Sequence, residues 1–390
     1  MIKTIKDFDV KNKRVLVRCD FNVPLTEKGE VEDDFKIRQT IPTIKYLIEN
    51  NAKIILMSHL GEPYGKIIEN LRLDCVKNSL EKLLNISIKK NSDCIGKEVK
   101  KAAFNLKPKE ILLLENLRFY KEEEENDDNF AKQLSELGEI YINDAFATCH
   151  REHASVVGVP KYLPSAAGLL LEKEIKALSK VLENPWRPLV VIIGGVKIEN
   201  KLKLIKNFLE KADHLLIGGK IANELLIIKG ICLGIPTSAE KIIKEIENLN
   251  LTSPKLHLPI DALVSLNAEG EGYVRETALG KVRKEEIILD IGPHTVEIFS
   301  RIIEEAKMIV FSGPLGYFEN PLFEKGTREI TEKITKNHKA FKIAGGGDTV
   351  FALSKFGLLD NFDHVSTGGG AMLNFLSGEK MPGIEILKNE

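Results

Sequence analysis

Residues 189–201 have the sequence LVVIIGGVKIENK, in which an apolar run of strand length ends abruptly in Gly194 and Gly195. Four later apolar runs end in the same way: HLLIGG at 214–219, MIVFSGPLG at 308–316, FKIAGGGDT at 341–349 and HVSTGGG at 364–370. Where glycines join a strand to a helix, backbone N–H groups crowd at the helix N-terminus and bind phosphate oxygens. The second half of the chain is therefore predicted to bind a nucleotide.

Apolar runs in the first half of the chain end in polar and charged residues instead. Predicted strands at 14–18, 54–57, 111–114 and 139–142 alternate with helical patterns at 37–50, 78–85 and 127–138. This alternation is typical of a parallel sheet that is covered on both faces, and ligands of such sheets gather at the carboxyl ends of the strands. The residues at those ends are Asp20, Asn22, His59, Arg118, His150, Arg151 and His153.

Arginines at strand ends suit a phosphate or a carboxylate, and the histidines add charge or hydrogen bonds. We therefore predict a site for a small anion in the first half of the chain. The alternative is a set of unrelated surface salt bridges and buried structural histidines.

The composition limits the class of protein. A chain of 390 residues is long enough for two domains, and its formal net charge of −1 gives no overall attraction to nucleic acid or to anionic membranes. Its five cysteines form no CxxC pair, and no apolar stretch is long enough to span a bilayer. We expect a cytoplasmic protein that has neither a zinc site nor disulfides and binds small molecules, with no nucleic acid or membrane partner.

The predicted fold class is α/β, with two doubly wound parallel-sheet domains joined by a helix and hinge. The N-terminal domain is predicted at residues 1–165, the interdomain helix at 166–184 and the C-terminal domain at 185–373. Two segments are predicted to be loops: 263–280, which is rich in Gly, Glu and Ala, and the acidic stretch 122–128, to which no role is assigned.

Lys197 and Lys201 follow the first glycine pair, and a helix predicted at 198–212 places them on one helix face. Two positive charges near a helix N-terminus oppose the helix dipole, and they repel each other by about 0.2–0.5 kcal/mol. A bound polyphosphate would reverse both penalties, so these lysines are candidate phosphate ligands. Two solvent-facing surface lysines are the alternative.

Two carboxylates complete the predicted nucleotide site. Asp348 follows three glycines and is placed to hold Mg²⁺ on phosphates, although an aspartate at a helix start is also a cap. Glu319 is a candidate for binding ribose hydroxyls, although carboxylates are common in loops. No G-x-x-x-x-G-K-[ST] occurs and no G-x-G-x-x-G follows a strand, which argues against a P-loop NTPase and a nicotinamide dehydrogenase.

Motifs along the chain resemble those of the phosphoglycerate kinase family in order and spacing. They run from Arg14 to Gly370 and are RVLVRCDFNVPL, SHLG, ENLRF, NDAFATCHREHAS, GLLLEKE, GGVKIENK, LDIGP, GPLGYFE, GGGDT and HVSTGGG. The resemblance implies reversible phosphoryl transfer between 1,3-bisphosphoglycerate and MgADP, which gives 3-phosphoglycerate and MgATP in glycolysis and gluconeogenesis. It also implies a monomer whose C-terminal tail, about residues 374–390, packs on the phosphoglycerate-binding N-terminal domain.

The resemblance assigns roles position by position. It implies that the phosphoglycerate is bound by Asp20, Phe21, Asn22, Lys36, His59, Leu60, Gly61, Glu62, Arg118, His150, Arg151 and His153. It implies that the nucleotide is bound by Gly195, Lys197, Lys201, Gly218, Gly292, Ser312, Glu319, Gly345, Gly346, Gly347, Asp348 and Thr349, with Mg²⁺ on Asp348. The implied catalytic residues are Lys36, Lys197, Gly346 and Gly369, with Lys197 on the phosphoryl group in transfer.

Some positions depart from the family pattern. Lys36 and Glu62 stand where the family has arginines, and Asn200 and Ser312 stand where it has aspartate and asparagine. Lys36 keeps the charge but loses the guanidinium fork, whereas Glu62 reverses the charge beside the predicted anion site. The loss of one charge-assisted hydrogen bond costs roughly 1.5–3 kcal/mol. We expect Glu62 to point away from the site or to pair with Lys66.

The implied reaction needs no general base, because the acceptor is a phosphate or an ionised carboxylate, so positive charge carries the catalysis. Because the two sites are predicted on different domains, a hinge closure is expected to bring them into line and to exclude water. The alternative is a protein of the same fold that binds nucleotide but has lost turnover. The retained Lys197, Lys201 and Asp348 argue against that alternative.

Overall fold

The computed structural model describes residues 2–199, 201–231 and 240–388. The chain divides into two compact units. The first unit comprises the residues up to 176 together with those from 380 onward, and the second comprises 177–379. Helix Leu169–Glu183 contains the boundary between them.

The first unit is built on a six-stranded parallel sheet with the spatial order β3-β4-β2-β1-β5-β6. Its strands are β1 (Arg14–Arg18), β2 (Lys53–Met57), β3 (Lys89–Lys90), β4 (Ile111–Leu113), β5 (Ile140–Asn143) and β6 (Ser165–Ala167). Its helices are α1 (Phe35–Glu49), α2 (Asp74–Leu84), α3 (Lys97–Phe104), α4 (Lys121–Glu124), α5 (Asp128–Ser135) and the first part of α6 (Leu169–Glu183). Val15, Leu16 and Val17 are all fully buried, so both faces of the sheet are covered.

The second unit contains a second six-stranded parallel sheet, with the order β15-β14-β13-β7-β8-β9, and a small antiparallel sheet, with the order β11-β10-β12. The strands are β7 (Leu189–Ile193), β8 (His214–Ile217), β9 (Leu256–His257), β10 (Asp261–Ser265), β11 (Val274–Ala278), β12 (Ile287–Ile291), β13 (Met308–Ser312), β14 (Phe341–Gly345) and β15 (His364–Ser366). The helices are α7 (Leu202–Lys211), α8 (Gly219–Ile228), α9 (Glu240–Glu247), α10 (Pro293–Glu305), α11 (Lys325–Lys336), α12 (Gly347–Lys355) and α13 (Gly369–Leu376), and α14 (Pro382–Glu385) follows in the first unit. The predicted α/β class with two parallel sheets is confirmed. None of the helices in the described ranges is both long and apolar enough to cross a bilayer.

The segment 263–280, predicted to be a loop, instead contains strand β11 and the end of β10. Leu263 pairs with Glu276 on one side and with Asp290 on the other. The sequence signal is weak because Thr277 is the one buried residue of β11, and a bulge after Leu263 interrupts the register. The prediction was wrong because a strand with one solvated face has few apolar residues to mark it.

The helix predicted from residue 166 begins at Leu169, because residues 165–167 form strand β6. Asp144, which follows β5, holds the helix start, since its Oδ1 accepts hydrogen bonds from the N–H of Leu170 at 2.9 Å and of Leu171 at 3.3 Å. A β-carbon on Gly168 would lie 2.1 Å from that oxygen. The strand-to-helix turn therefore requires glycine at position 168.

Gly168→Ala is expected to lower the free energy of unfolding by about 1–3 kcal/mol, because the added methyl group must displace Asp144 from the start of α6. Urea unfolding followed by circular dichroism measures the difference. Gly280→Ala is the matched control, since no described atom lies within 4 Å of the β-carbon that it adds. Equal stabilities of the two variants would contradict the prediction.

Candidate active site

In the first unit, the loops that follow β1, β2 and β4 are tied together by hydrogen bonds. Asn22 Oδ1 accepts from the Gly61 N–H at 2.9 Å, which joins the first loop to the second. Asn116 joins the third, because its Oδ1 accepts from the Leu60 N–H at 3.2 Å and its Nδ2 donates to Leu60 O at 2.7 Å. The predicted residues that build this framework are Phe21, Asn22, Leu60 and Gly61.

A buried ion pair lies beside this framework. Arg18, the last residue of β1, is fully buried, and its Nε donates to Ser155 Oγ at 2.7 Å. Its Nη2 lies 3.8 Å from Oε1 of Glu123, which is fully buried as well. Glu123 accepts hydrogen bonds from the Ser155 N–H at 2.9 Å and from the Ser155 Oγ at 2.5 Å. The sequence analysis missed these residues, although a charged residue that ends an apolar strand is a signal for Arg18.

The acidic stretch 122–128 was predicted to be a solvated loop without a role, and this prediction was wrong. Its first residues belong to α4, and Glu123 enters the interior. Burial raises the pKa of the Glu123 carboxyl, and the charge of Arg18 opposes that shift. The sequence does not distinguish Glu123 from its acidic neighbours, because only the contact with Arg18 selects it.

His59 acts as an uncharged hydrogen-bonding group. Its Nδ1 lies 3.2 Å from Arg18 Nη2, a group that only donates, so Nδ1 accepts and Nε2 carries the proton. Burial, followed by the charges of Arg18, Arg118 and Lys36, holds the pKa of His59 well below its usual 6.5. Three cations therefore act on one buried imidazole.

The other two predicted histidines are uncharged at neutral pH for the same reasons. Burial lowers the pKa of His153 to about 3, and the charges of Arg18, Arg118 and Arg151 add to the effect. Burial and Arg151 lower the pKa of His150, whose Nε2 lies 3.4 Å from Arg151 Nε. Of the two roles considered from sequence, a positive charge is therefore disfavoured for these histidines at neutral pH.

Lys36, and not the nearby Arg38, provides the cation of α1. Lys36 Nζ donates to Asp20 Oδ2 at 2.8 Å and so reaches the end of β1. Arg38 is mostly exposed and bonds Asp34 at 2.7 Å instead. The structure thus brings Lys36 and Asp20 together beside His59, whose Nδ1 is 4.0 Å from Asp20 Oδ1.

Glu62 neither points away from the site nor pairs with Lys66, and both expectations were wrong. Its Oε1 lies 2.7 Å from Arg118 Nη1. That nitrogen also donates to Gly61 O at 3.0 Å, and Arg118 Nε lies 3.5 Å from Glu124 Oε1. Arg118 is only 1% exposed, so Glu62 covers the arginine that is predicted to bind substrate.

In the second unit, the glycine-ended loops after β7, β8 and β13 pack directly against one another. A β-carbon on Gly194 would lie 2.1 Å from Pro314 O, and one on Gly219 would lie 2.7 Å from Gly195 N. The Gly195 N–H donates to Pro314 O at 2.7 Å, and the Gly219 N–H donates to Leu315 O at 2.9 Å. These glycines are therefore needed for contact between the loops, independently of any phosphate.

Lys197 and Lys201 do not share a helix face as predicted, because α7 begins only at Leu202. Lys197 is exposed in the irregular segment that follows Gly195, and Lys201 occupies the N-cap position. A helix that began earlier would place both positive charges in its first turns, against the dipole. The late start of α7 avoids that cost.

Lys201 turns back onto the glycine loops. Its Nζ donates to Gly194 O at 2.6 Å and to Ser312 O at 2.9 Å. Burial lowers the pKa of Lys201 to about 8, while the charge of Asp348 acts in the opposite direction. The ammonium group is thus held among carbonyl oxygens beside an exposed carboxylate.

The N-termini of α12 and α13 meet at the two glycines predicted to be catalytic. A β-carbon on Gly369 would lie 3.1 Å from the Cα of Gly346, the N-cap of α12. Thr349 is buried, accepts from the Gly313 N–H at 2.7 Å and donates to Gly345 O at 3.0 Å. Two helix N-termini therefore lie side by side, and Thr349 fixes one of them to the loop after β13.

The remaining predicted nucleotide residues also lie at element ends. Gly218 and Gly292 are the N-caps of α8 and α10, Gly345 ends β14, Gly347 begins α12, and Ser312 is buried at the end of β13. Asn200 lies outside the described residues.

A cavity of about 500 Å³ opens beside these loops. The predicted residues Gly195, Glu319 and Asp348 line it, and so does Lys220. Much of its wall is apolar and is formed by Ile227, Ala262, Leu279, Val282, Ile288 and Leu315. An apolar slot beside convergent polar groups suits a nucleoside, within the roughly 300–1,000 Å³ of small-molecule sites. Sequence analysis missed the apolar wall, in part because it assigned residues 263–280 to a loop.

Asp348 fits a metal ion that arrives with a ligand. Among the described residues, no group of three or more His, Cys, Asp and Glu side chains is arranged to hold a metal. Mg²⁺ is usually held by one or two carboxylates together with phosphates and waters, so a single exposed carboxylate in the cavity is sufficient.

A cationic patch in one unit and a glycine-lined cavity in the other are typical of an enzyme that transfers a phosphoryl group between a nucleotide and a small anion. A family model described as phosphoglycerate kinase matches residues 5–379. The chain is 46% identical over 393 residues to the phosphoglycerate kinase of Dictyoglomus turgidum, and the alignment covers 100% of this chain and 99% of the relative. It is 46% identical over 388 residues to the phosphoglycerate kinase of Moorella thermoacetica, and the alignment covers 98% of each chain.

Two solved structures are similar over nearly the whole chain. The phosphoglycerate kinase of Coxiella burnetii has a TM-score of 0.87 at 37% identity and covers 99% of both chains. That of Pyrococcus horikoshii has a TM-score of 0.88 at 34% identity and covers 99% of this chain and 98% of its own. The chain belongs to the phosphoglycerate kinase family. It is a phosphotransferase with a carboxyl group as acceptor, and it carries out the reversible transfer between 1,3-bisphosphoglycerate and ADP.

We expect the protein to lose stability as the pH falls from about 6.5 to about 3, in part through His153. The unfolded chain binds a proton at this imidazole near pH 6.5, whereas the folded protein binds it only near pH 3, so acid favours unfolding. In His153→Gln, the loss of stability over this pH range should be smaller by on the order of 2–4 kcal/mol. Urea unfolding at pH 7, 5.5 and 4.5 measures it, and parallel curves for the variant and the wild type would rule the contribution out.

Proposed function

We propose that the cations of the first unit bind the phosphoglycerate and that the histidines of the same unit orient this substrate. Arg118, Arg151 and Lys36 supply the charge, and His59, His150 and His153 supply hydrogen bonds. The observation that carries this proposal is the location of Arg18, Arg118 and Lys36 around the buried His59, whose pKa is lowered first by burial and then by these three charges. Asp20 positions Lys36 through the 2.8 Å contact, and Asn22 and Gly61 join the loops that surround the anion.

The cavity of the second unit is proposed to hold the nucleotide. The apolar wall accommodates the base, Glu319 accepts hydrogen bonds from the ribose, and the glycine loops face the phosphates with their N–H groups. The adjacent N-termini of α12 and α13, at Gly346 and Gly369, add positive potential where the transferring group develops charge. Lys201 binds nucleotide phosphate, and the exposed Lys197 contacts the phosphoryl group in transfer.

No side chain is required as a general base, because the accepting carboxylate is already ionised. The contribution of the chain is to position the two reactants and to supply positive charge. Asp348 would hold Mg²⁺, which neutralises phosphate charge when it is bound with the nucleotide. Closure of the hinge, the monomeric state and the cytoplasmic location stay predictions.

Lys197→Ala is expected to lower kcat by about 10²–10³, because removal of one group that stabilises transition-state charge has a cost of this size. The KM for MgATP should change much less. A coupled assay with 3-phosphoglycerate and MgATP measures both constants. Lys206→Ala, which removes an exposed lysine of α7, is the matched control and should behave as the wild type.

A kcat for Lys197→Ala within about threefold of the wild type would remove Lys197 from the transfer step. Binding of MgATP by the wild type without any turnover would overturn the proposed function of the site. It would favour a protein that retains the nucleotide site alone.

A further inference from the structure

The carboxylate of Glu62 forms an ion pair with the guanidinium of Arg118. Of the cations proposed to bind substrate, Arg118 is the most deeply buried. The two side chains approach to 2.7 Å, and Glu62 keeps nearly half of its side chain exposed, whereas Arg118 has almost none. A substrate anion that is to reach Nη1 of Arg118 must therefore take the position that Glu62 holds.

The loop stays in place without the Glu62 side chain. Arg118 Nη1 donates to Gly61 O at 3.0 Å, and the Gly65 N–H donates to Arg118 O at 3.1 Å. Gly61 has a positive φ of 64°, which turns the chain over the arginine. These two hydrogen bonds anchor the segment at both ends, so Glu62 can leave Arg118 while the loop keeps its course.

Because Glu62 is nearly half exposed, water solvates its carboxylate when it leaves Arg118. A substrate anion that makes several contacts can displace this carboxylate, because the anion then compensates the charge of the buried Arg118 in its place. Arg118 keeps a second carboxylate nearby, since Glu124 Oε1 lies 3.5 Å from its Nε. Glu62 is therefore the removable counter-ion of the pair.

We propose that Glu62 is an internal competitor of the phosphoglycerate. The Glu62 carboxylate pairs with Arg118 in the free protein and is displaced when the substrate anion binds. The inference rests on the proposed function of the first unit. Glu62 then sets the affinity of the anion site, because every binding event has to break the Glu62–Arg118 pair. It is not a catalytic residue, so its effect falls on substrate binding and not on the transfer step.

The test compares Glu62→Gln with the wild type in the full-length protein. Titration calorimetry with 3-phosphoglycerate alone should show a Kd that is about two- to fivefold lower in the variant, because binding no longer has to break the Glu62–Arg118 ion pair. The KM for 3-phosphoglycerate should fall by the same factor, with kcat unchanged within twofold. Inorganic sulfate, used as a simple anion probe, should inhibit Glu62→Gln at a correspondingly lower concentration.

The matched control is Glu125→Gln. This residue is also an exposed glutamate, and it pairs with Lys121 at 3.8 Å. It should leave Kd, KM and sulfate inhibition unchanged. Glu62→Ala should bind 3-phosphoglycerate more tightly as well, because removal of the charge is what matters.

An unchanged or higher Kd in Glu62→Gln, with normal binding in the wild type, overturns this inference alone and leaves the proposed function intact. Weaker binding in Glu62→Ala together with an unchanged Kd in Glu62→Gln indicates that Glu62 positions Arg118, and this also overturns it. Failure of the wild type to bind 3-phosphoglycerate overturns the proposed function, and the inference with it. A thermal unfolding scan confirms that each variant is folded.

Discussion

The proposed anion site of the first unit depends on the buried ion pair between Arg18 and Glu123. A buried arginine is tolerated only when its charge is compensated and its N–H groups are bonded, and removal of one partner of such a pair typically costs about 3–5 kcal/mol. Here Glu123 compensates the charge, Ser155 accepts from Nε, and His59 accepts from Nη2. The pair therefore connects the end of β1, helix α4 and the π-helical turn Ala154–Gly158, and it sets the tautomer of His59.

The positive charge of this unit is largely compensated in the free protein. Asp20 holds Lys36, and Glu62 holds Arg118. The histidines stay uncharged because burial and neighbouring cations disfavour a further proton. Lys36 and Arg118 are each held by a carboxylate, which offsets the repulsion between neighbouring cations. If Lys36 and Arg118 bind the substrate as proposed, they exchange these carboxylates for the substrate anion.

The glycines of the second unit meet two demands with the same residues. Gly194, Gly219 and Gly313 let three loops approach so closely that a β-carbon would collide with backbone atoms. The same loops end at helix N-termini, where N–H groups are available to phosphates. Lys201 fastens two of these loops from the side through Gly194 O and Ser312 O. Packing of the loops and the proposed binding of phosphate thus favour glycine in the same loops.

Local patterns were sufficient to predict most of this architecture. Apolar runs and their polar or glycine endings indicated four of the six strands of the first parallel sheet and five of the six of the second, but not β3, β6 and β9. They also placed Asp20, His59, Arg118, Gly346 and Asp348 at or just after carboxyl ends. They failed where local composition is ambiguous. Thr277 is the one buried residue of strand β11, which therefore has little apolar signal. The start of α7 depends on where two lysines can avoid the helix dipole.

The sequence by itself determined the family, the α/β class with two parallel sheets and the set of residues at the strand ends, because these follow from short-range periodicity and motif order. Only the tertiary structure decided which charges meet. Glu123 looks like its acidic neighbours until the fold brings it to Arg18, and Ser155, which bonds both, is 137 residues from Arg18 along the chain. Glu62 likewise gained its position on Arg118 from the fold, since ion pairing depends on distance in space and burial rather than on separation in sequence.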